Sequence, residues 1–160
     1  MSTSAMPPGT IHIRNFLGEI RVRSEQTGGG LTVVEHTLPP GYIAMPLHTH
    51  QREAETTYVL EGTLWVQLGK RVTKLGPGQS IAKPAGVPHT YWNEGTRPAR
   101  FLDMLTPGGL EPWYEEVATV IPARGEVEVG KVLEISRRYG LEFDMESLLD
   151  IMSRHQVVLA

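Results

Sequence analysis

Residues 41–62 read GYIAMPLHTHQREAETTYVLEG, and this stretch places His48, His50, Glu53 and Glu55 close together. His48 and His50 are two residues apart, so on a β-strand both imidazoles project from the same face. Glu55 follows five residues later and begins the next β-type run, from which its carboxylate can return to that face. Two histidines and a nearby carboxylate predict a candidate transition-metal site.

A second stretch, residues 78–93, reads GQSIAKPAGVPHTYWN and supplies His89, which could close the site from a neighbouring strand. Three imidazoles and one carboxylate suit Fe, Mn, Ni, Co, Cu or Zn, and they suit calcium or magnesium poorly. A lone His-x-His pair also occurs on ordinary surface strands, and Glu53 is an alternative carboxylate. The residue types alone are therefore compatible with two interpretations. The histidines could form a metal site, or they could be a solvent-facing His-x-His pair.

Both stretches resemble the two motifs of the cupin superfamily. The first motif is matched by a glycine, six residues, His-x-His, four residues, glutamate, six residues and glycine, at positions Gly41, His48, His50, Glu55 and Gly62. The second is matched at every spacing by Gly78, Pro84, Gly86, His89 and Asn93. The resemblance implies that His48, His50, Glu55 and His89 hold one divalent transition metal ion. Asn93 follows His89 by four residues, and we expect it to bond backbone rather than metal.

The implied fold is mainly β: a single-domain cupin, or double-stranded β-helix (jelly-roll) barrel, with a short helical C-terminal tail. Turn signals recurring about every 8 to 12 residues independently favour a sandwich or barrel over βαβ units. We predict a flexible N-terminal arm over residues 1–10, the cupin β-barrel over 11–106, and a helical extension over 107–160 that packs on the barrel or across a dimer.

Several elements are predicted individually. Gly69 and Lys70 form a two-residue hairpin loop between β-type runs. Glu111 to Val120 and Lys131 to Tyr139 are predicted helices, the second ended by Gly140. Asp144 is the predicted cap of a third helix, whose apolar stripe would be Met145, Leu148, Leu149 and Met152.

The order of segments looks most like small one-domain cupins described as quercetin-dioxygenase-like. That resemblance implies a dioxygenase-type oxidoreductase acting on a small oxygenated molecule of the flavonol, catechol or diketone class, with Glu55 as ligand and general base. Because one fold hosts many activities, two alternatives stay open. These are a non-oxidative metal enzyme (isomerase, lyase or decarboxylase) and a non-enzymatic cupin that binds a small ligand.

Seven residues are candidates for binding the substrate, because strand parity or proximity in the chain brings them near the predicted ligands. They are Met45, Thr57, Val59, Trp65, Tyr91, Phe101 and Met104. Each could equally fill the core of a small barrel. The other histidines, His12, His36 and His155, have no partner at ligand spacing and are predicted to be structural or solvent-facing.

The composition of the 160-residue chain limits its partners. A formal net charge of −3 offers no basic field for nucleic acid, and no polybasic patch or long apolar run predicts a membrane contact. The absence of cysteine excludes disulfides and thiolate ligands and fits a reducing compartment, so a cytoplasmic location is expected. The expected partners are a small-molecule substrate or ligand and, by analogy with cupins, a second copy in a homodimer.

Overall fold

The computed structural model describes residues 9–160 and shows mainly strands in that range. The strands are β1 (Gly9–Ile13), β2 (Phe16–Val22), β3 (Thr32–Leu38), β4 (Tyr42–Ile43), β5 (Leu47–His50), β6 (Ala54–Glu61), β7 (Leu64–Leu68), β8 (Arg71–Leu75), β9 (Ser80–Lys83), β10 (His89–Trp92), β11 (Ala99–Thr106), β12 (Leu141–Asp144) and β13 (Val158–Leu159). The helices are α1 (Glu111–Val120), α2 (Val129–Arg138) and α3 (Met145–His155). A short 3-10 helix spans Ser24–Thr27.

The strands form two sheets. One has the order β1-β2-β3-β11-β6-β9; the other contains β12-β5-β10-β4-β13, with β7 and β8 joined to it through β10. Neighbours pair antiparallel except β13, which runs parallel to β4. The predicted mainly β, jelly-roll cupin fold is confirmed, although hydrogen bonding leaves two sheets rather than one closed barrel.

Alternating residues build the core between the sheets. In β3 and β11 every second side chain is buried, as expected for strands with one face on the core. All four residues of β10 are buried because both of its faces are covered. Its outer face meets α3, where Leu148 and Ile151 pack with Ile43 and Trp92. This arrangement places β10, which carries His89, in the middle of the molecule.

The predicted helices are present. The first has the predicted bounds, and the second begins at Val129 and ends at Arg138, followed by Gly140 in the left-handed region at φ +74°. Asp144 caps the third helix by accepting a hydrogen bond from the backbone N–H of Ser147 at 3.2 Å.

The predicted apolar stripe of the third helix is only partly right. The buried residues of this helix are Leu148 and Ile151, whereas Leu149 is 73% exposed and Met145 lies at the surface. The helix is therefore rotated on the sheet so that Ile151, rather than Leu149, faces the core.

The C-terminal region also contains strands that sequence periodicity did not indicate. After the second helix the chain pairs β12 with β5, and the final strand β13 pairs with β4. At the other end, Gly9 and Thr10 of the predicted arm belong to β1, and its residues 1–8 lie outside the described range. The predicted division at residues 106 and 107 stays a prediction.

Gly62, the last glycine of the first motif, is the backbone position that we expect to tolerate substitution least. Its φ is +73°, and an added Cβ would meet the carbonyl of Pro98 and lie 3.0 Å from the Cα of Ala99. Gly62→Ala should therefore lower the free energy of unfolding by about 3 kcal/mol, since left-handed strain and overpacking add. Gly69→Ala is the matched control, because Gly69 has φ +58° and open space around its Cα. Equal losses in urea unfolding of the two variants would contradict the close contact at Gly62.

Candidate metal centre

Three strands bring the four predicted ligands together. His48 and His50 lie on the inward face of β5, Glu55 lies at the start of β6, and His89 opens β10 directly opposite His48. One ligand atom from each of the four residues lies within 4.8 Å of the others. All four side chains are buried. The structure therefore assembles one compact cluster from residues that are up to 41 positions apart.

The carboxylate of Glu55 is the point on which the imidazoles converge. Its Oε2 lies 2.9 Å from Nε2 of His89 and 3.2 Å from Nε2 of His50. The His48 ring completes the group, with its centroid 4.4 Å from that of His89. Imidazole nitrogens and a carboxylate oxygen at such spacing are donors that a divalent transition metal ion takes up.

The other ring nitrogen of each histidine faces away from the cluster and has a polar neighbour. Nδ1 of His48 lies 3.0 Å from the carbonyl oxygen of Pro46, and Nδ1 of His89 lies 3.1 Å from that of Val87. Since a carbonyl can only accept, Nδ1 of each ring can carry the proton, and Nε2 is then able to coordinate a metal ion beside the Glu55 carboxylate. Partners of this kind orient metal-binding histidines in known sites. The side chains present therefore fit a metal ion.

Glu53, the alternative carboxylate, lies behind His50 instead of among the ligands. Its Oε2 is 3.6 Å from Nδ1 of His50, and the side chain is 4% exposed. The two glutamates therefore contact opposite nitrogens of one imidazole. The structure brings Glu55 rather than Glu53 into the cluster, as the sequence predicts.

Burial and neighbouring charges displace the pKa values in the cluster. Burial lowers the pKa of His48 well below its usual value, and it lowers the pKa of His89 as well. Burial also acts to lower the pKa of His50, but hydrogen bonds to Glu53 and Glu55 outweigh it and raise this pKa to about 9. Burial opposes ionisation of Glu55, yet Lys83, His50 and His89 hold its pKa well below the ordinary value. The cluster thus holds an ionised carboxylate among two imidazoles that resist protonation.

A buried lysine fixes the far side of the Glu55 carboxylate. Nζ of Lys83 lies 2.9 Å from Oε1 of Glu55 and 3.5 Å from Oδ1 of Asp103, and neither Lys83 nor Asp103 is accessible to solvent. Asp103 also accepts a hydrogen bond from the hydroxyl of Thr57. Lys83 therefore anchors one oxygen of Glu55 while the other oxygen faces the imidazoles.

Sequence reasoning missed Lys83 and Asp103. Asp103 lies between Phe101 and Leu105 on β11, so its parity with two large apolar residues indicated an inward position. Lys83 gave no comparable signal, because it ends a short strand before Pro84, where a lysine is usually exposed. Only the pairing of β9 with β6 places it directly opposite Glu55.

Of the seven predicted substrate-binding residues, four lie on the inward face shared with the cluster. They are buried and comprise Thr57, Val59, Tyr91 and Phe101. Met45 is half-buried and contacts the apolar core on two sides. Trp65 lies on the outer face of its strand, where Nζ of Lys74 is 5.0 Å from the centre of its ring. Met104 lies on the opposite face of β11 from the inward Asp103 and Leu105. The structure therefore does not bring Trp65 and Met104 to the cluster.

Asn93 and the three histidines outside the cluster lie away from the candidate ligands, either in structural contacts or at the surface. The side-chain amide of Asn93 donates to the carbonyls of Leu38 and Arg97, as predicted. His12 is exposed, and Nδ1 of His155 lies 2.6 Å from Glu94. His36 is fully buried and stacks on Phe16 with ring centroids 4.6 Å apart.

The chain is similar to known cupins. Residues 34–105 match the family model described as "Cupin domain". Germin-like protein 3-7 of Oryza sativa subsp. japonica is 36% identical over 81 residues, which cover 48% of this chain and 34% of that protein. The match thus spans about a third of the curated relative's length.

Solved structures show the same fold. A sugar phosphate isomerase from a cupin superfamily, from Silicibacter pomeroyi, is 28% identical with a TM-score of 0.50, covering 59% of this chain and 60% of that one. KdgF from Halomonas sp. is 19% identical with a TM-score of 0.55, covering 63% of this chain and 87% of that one. These matches support the cupin superfamily, and the quercetin-dioxygenase-like subgroup stays a prediction.

Within residues 9–160, none of the helices has the length and apolar character that crossing a membrane requires. The predicted cytoplasmic location and homodimer stay predictions.

Proposed function

We propose that this chain, whose residues 34–105 match the family model described as "Cupin domain", is a metal-dependent enzyme of the dioxygenase type acting on a small oxygenated organic molecule. His48, His50, Glu55 and His89 are the proposed ligands of one divalent transition metal ion. The observation that carries the proposal is the outward pairing of Nδ1 in His48 and His89, which turns their Nε2 atoms inward beside the ionised carboxylate of Glu55. When bound, such an ion supplies Lewis acidity and a template for an enolate or catecholate oxygen.

The protein's own side chains would then keep water out and hold the ligands still. The four ligands are at most 3% exposed, and Tyr91 and Phe101 form part of the apolar wall on the same inward face. Lys83 holds Oε1 of Glu55, so this carboxylate is fixed in place. Because its pKa is low, Glu55 is a weak general base in this arrangement. Its role as ligand is therefore better supported than the base role that the resemblance implies.

A second candidate is a non-oxidative isomerase, and the 28% identity to the sugar phosphate isomerase favours it. A sugar phosphate would require a cation able to bind the phosphate near the ligands. The described cations beside the cluster are Lys83 and Arg52, and both are paired with carboxylates. Because the inward wall is apolar and both cations are already paired, the site is poorly suited to a sugar phosphate, and we favour the oxygenase.

The metal assignment is tested by elemental analysis of the purified protein. We expect close to one equivalent of Fe, Mn, Ni, Co, Cu or Zn per chain, and loss of this metal in the double variant His48→Ala, His89→Ala. His12→Ala is the control, because His12 is exposed on β1 and should leave the metal content unchanged. A wild-type protein that takes up no metal, even after reconstitution, would contradict the ligand assignment.

The reaction class is tested separately, on the metal-loaded protein. We expect O₂ consumption with at least one member of a panel of flavonols, catechols and diketones, and none in the double variant. Anaerobic interconversion of aldose and ketose phosphates would instead support the isomerase. Stoichiometric metal with no turnover on either panel would favour a ligand-binding cupin and overturn the enzymatic proposal.

A further inference from the structure

A cavity of about 140 Å³ lies between the strands and the C-terminal helices. Seventeen of its eighteen lining residues are apolar, and they include Phe16, Met45, Trp113 and Phe143. The exception is Arg14. An apolar cavity of roughly 150 Å³ inside a protein is large enough to hold one benzene molecule. The cavity is therefore of a size to take a single aromatic ring or a short branched chain.

This cavity is separate from the metal centre, although one layer of side chains divides them. Phe143 lines the cavity and stacks on His48, with ring centroids 5.5 Å apart. Pro46 also lines it, and the Pro46 carbonyl faces Nδ1 of His48. The cavity thus lies on the Nδ1 side of His48, whereas the candidate metal position lies on the Nε2 side. A molecule in the cavity would not contact the metal.

Access to the cavity runs between the start of α2, the start of α3 and the final strand. Val129, Met145 and Leu159 line it and are 42%, 38% and 41% exposed. Large apolar side chains at the surface commonly mark a binding site when they border a pocket. These three residues form an apolar rim through which a small molecule can enter from solvent.

Arg14 supplies the one charge at the cavity. Its guanidinium donates to the carbonyl oxygens of Pro122, at 3.2 Å, and Gly125. Among residues 9–160, no carboxylate lies within 4 Å of it, so its charge is balanced by dipoles alone. A guanidinium with spare N–H donors is suited to bind a carboxylate.

From the shape, the apolar wall and the single cation, we infer that this cavity binds a small apolar monocarboxylate, with its ring or branched chain inside and its carboxylate toward Arg14. This inference goes beyond the proposed function and does not depend on it. Sugars and sugar phosphates are excluded from this site, because the wall offers no hydrogen-bonding partners for several hydroxyl groups.

Benzoate is a suitable probe, with toluene and glucose 6-phosphate as comparison ligands, and calorimetric titration measures binding. Benzoate should bind, toluene should bind more weakly, and glucose 6-phosphate should not bind. Arg14→Gln should weaken benzoate about tenfold, the loss expected for a charge-assisted hydrogen bond, and should leave toluene unchanged. Arg71→Gln, at an exposed arginine on β8, is the control.

A second pair of variants tests the location. Val129→Trp places a large side chain at the rim and should abolish benzoate binding. Val72→Trp is its matched control, because Val72 is 43% exposed on a strand away from the cavity, and it should bind like wild type. Both positions are at the surface, so neither variant should impair folding.

Three results would overturn the inference. Benzoate binding that disappears when the metal is removed with EDTA would place benzoate on the metal. Equal affinities of Val129→Trp and wild type would place it elsewhere on the surface. Affinity that falls as protein concentration rises would show that a second copy of the chain occupies the rim.

Discussion

Lys83→Met should lower the free energy of unfolding by about 3–5 kcal/mol, the loss typical of breaking a buried ion pair from one side. The ammonium of Lys83 is enclosed between Glu55 and Asp103, and none of the three side chains is more than 3% exposed. Without this lysine the ionised Glu55 keeps only imidazole neighbours. Asp103, whose pKa burial and Glu55 raise to about 8, loses its ammonium neighbour. Methionine fills much of the vacated volume, so the decrease in the free energy of unfolding arises mainly from the missing charge.

Urea unfolding of metal-free protein measures this effect, with Lys74→Met as the matched control. Lys74 is exposed on β8 and contacts only the ring of Trp65 in a cation–π interaction, so its loss should be about 1 kcal/mol or less. The double variant Lys83→Met, Glu55→Gln should lose less than the sum of the two single variants, because it removes both charges. Strict additivity would show that Lys83 does not stabilise Glu55.

Metal should change the size of the Lys83 effect. A bound cation would itself compensate the charge of Glu55, so Lys83→Met should be less destabilising in reconstituted protein than in metal-free protein. An identical loss in the two states would indicate that the ion does not bind next to Glu55. This comparison therefore tests the ligand assignment without measuring any activity.

Acid should destabilise the protein through His36 as the pH falls from about 6.5 toward 3. Burial lowers the pKa of this imidazole from 6.5 to about 3 in the folded state. Between these values the unfolded chain binds a proton that the folded chain does not, so stability falls with decreasing pH by up to about 1.4 kcal/mol per unit. Above pH 6.5 both states are neutral at this position, and His36 contributes no pH dependence.

The variant His36→Phe removes this contribution, together with the contact between Nε2 of His36 and Oδ2 of Asp103, which lie 3.4 Å apart. Phenylalanine preserves the stacking on Phe16, and the His36 ring nitrogens have no hydrogen bond of good geometry within the described range. Chemical denaturation at several pH values should give a shallower loss of stability for the variant than for wild type between pH 6.5 and 3. His12→Phe serves as the exposed control. Parallel curves for wild type and His36→Phe would contradict burial of a neutral His36.

Much of the candidate site could be predicted because its ligands are close in sequence and their spacing is regular. His48 and His50 share a face by strand parity alone, and the gap to Glu55 is short enough for one turn of chain. His89 lies 34 residues beyond Glu55, and no local rule brings it to the other three ligands. Its place was predicted only from the resemblance to the second cupin motif.

Parity also explains which of the predicted substrate-binding residues lie on the same face as the cluster. Thr57 and Val59 were placed by counting along β6 from Glu55, and both lie inward. No strand parity supports the prediction of Trp65 and Met104, and their side chains lie on the opposite faces of β7 and β11. Register depends on non-local pairing, which local sequence patterns do not fix.

In the C-terminal region, too, features set by neighbouring residues are predicted correctly, whereas a strand that depends on pairing with a distant segment is not. The cap at Asp144 and the left-handed Gly140 are local features, and both are where the sequence predicts them. β12 has only four residues, so the alternation of its apolar Leu141 and Phe143 is too short to predict a strand by itself. It becomes a strand because β5 offers a free edge, which only the folded sheet reveals.

That pairing has a consequence for solubility. β12 is the outermost strand of its sheet and hydrogen bonds along the whole of β5, with Leu141 opposite His50 and Phe143 opposite His48. An uncovered β5 would present unpaired amides and carbonyls, which recruit strands from other molecules and seed aggregates. The C-terminal strand therefore protects the backbone of β5, the strand that carries His48 and His50, from pairing with another molecule.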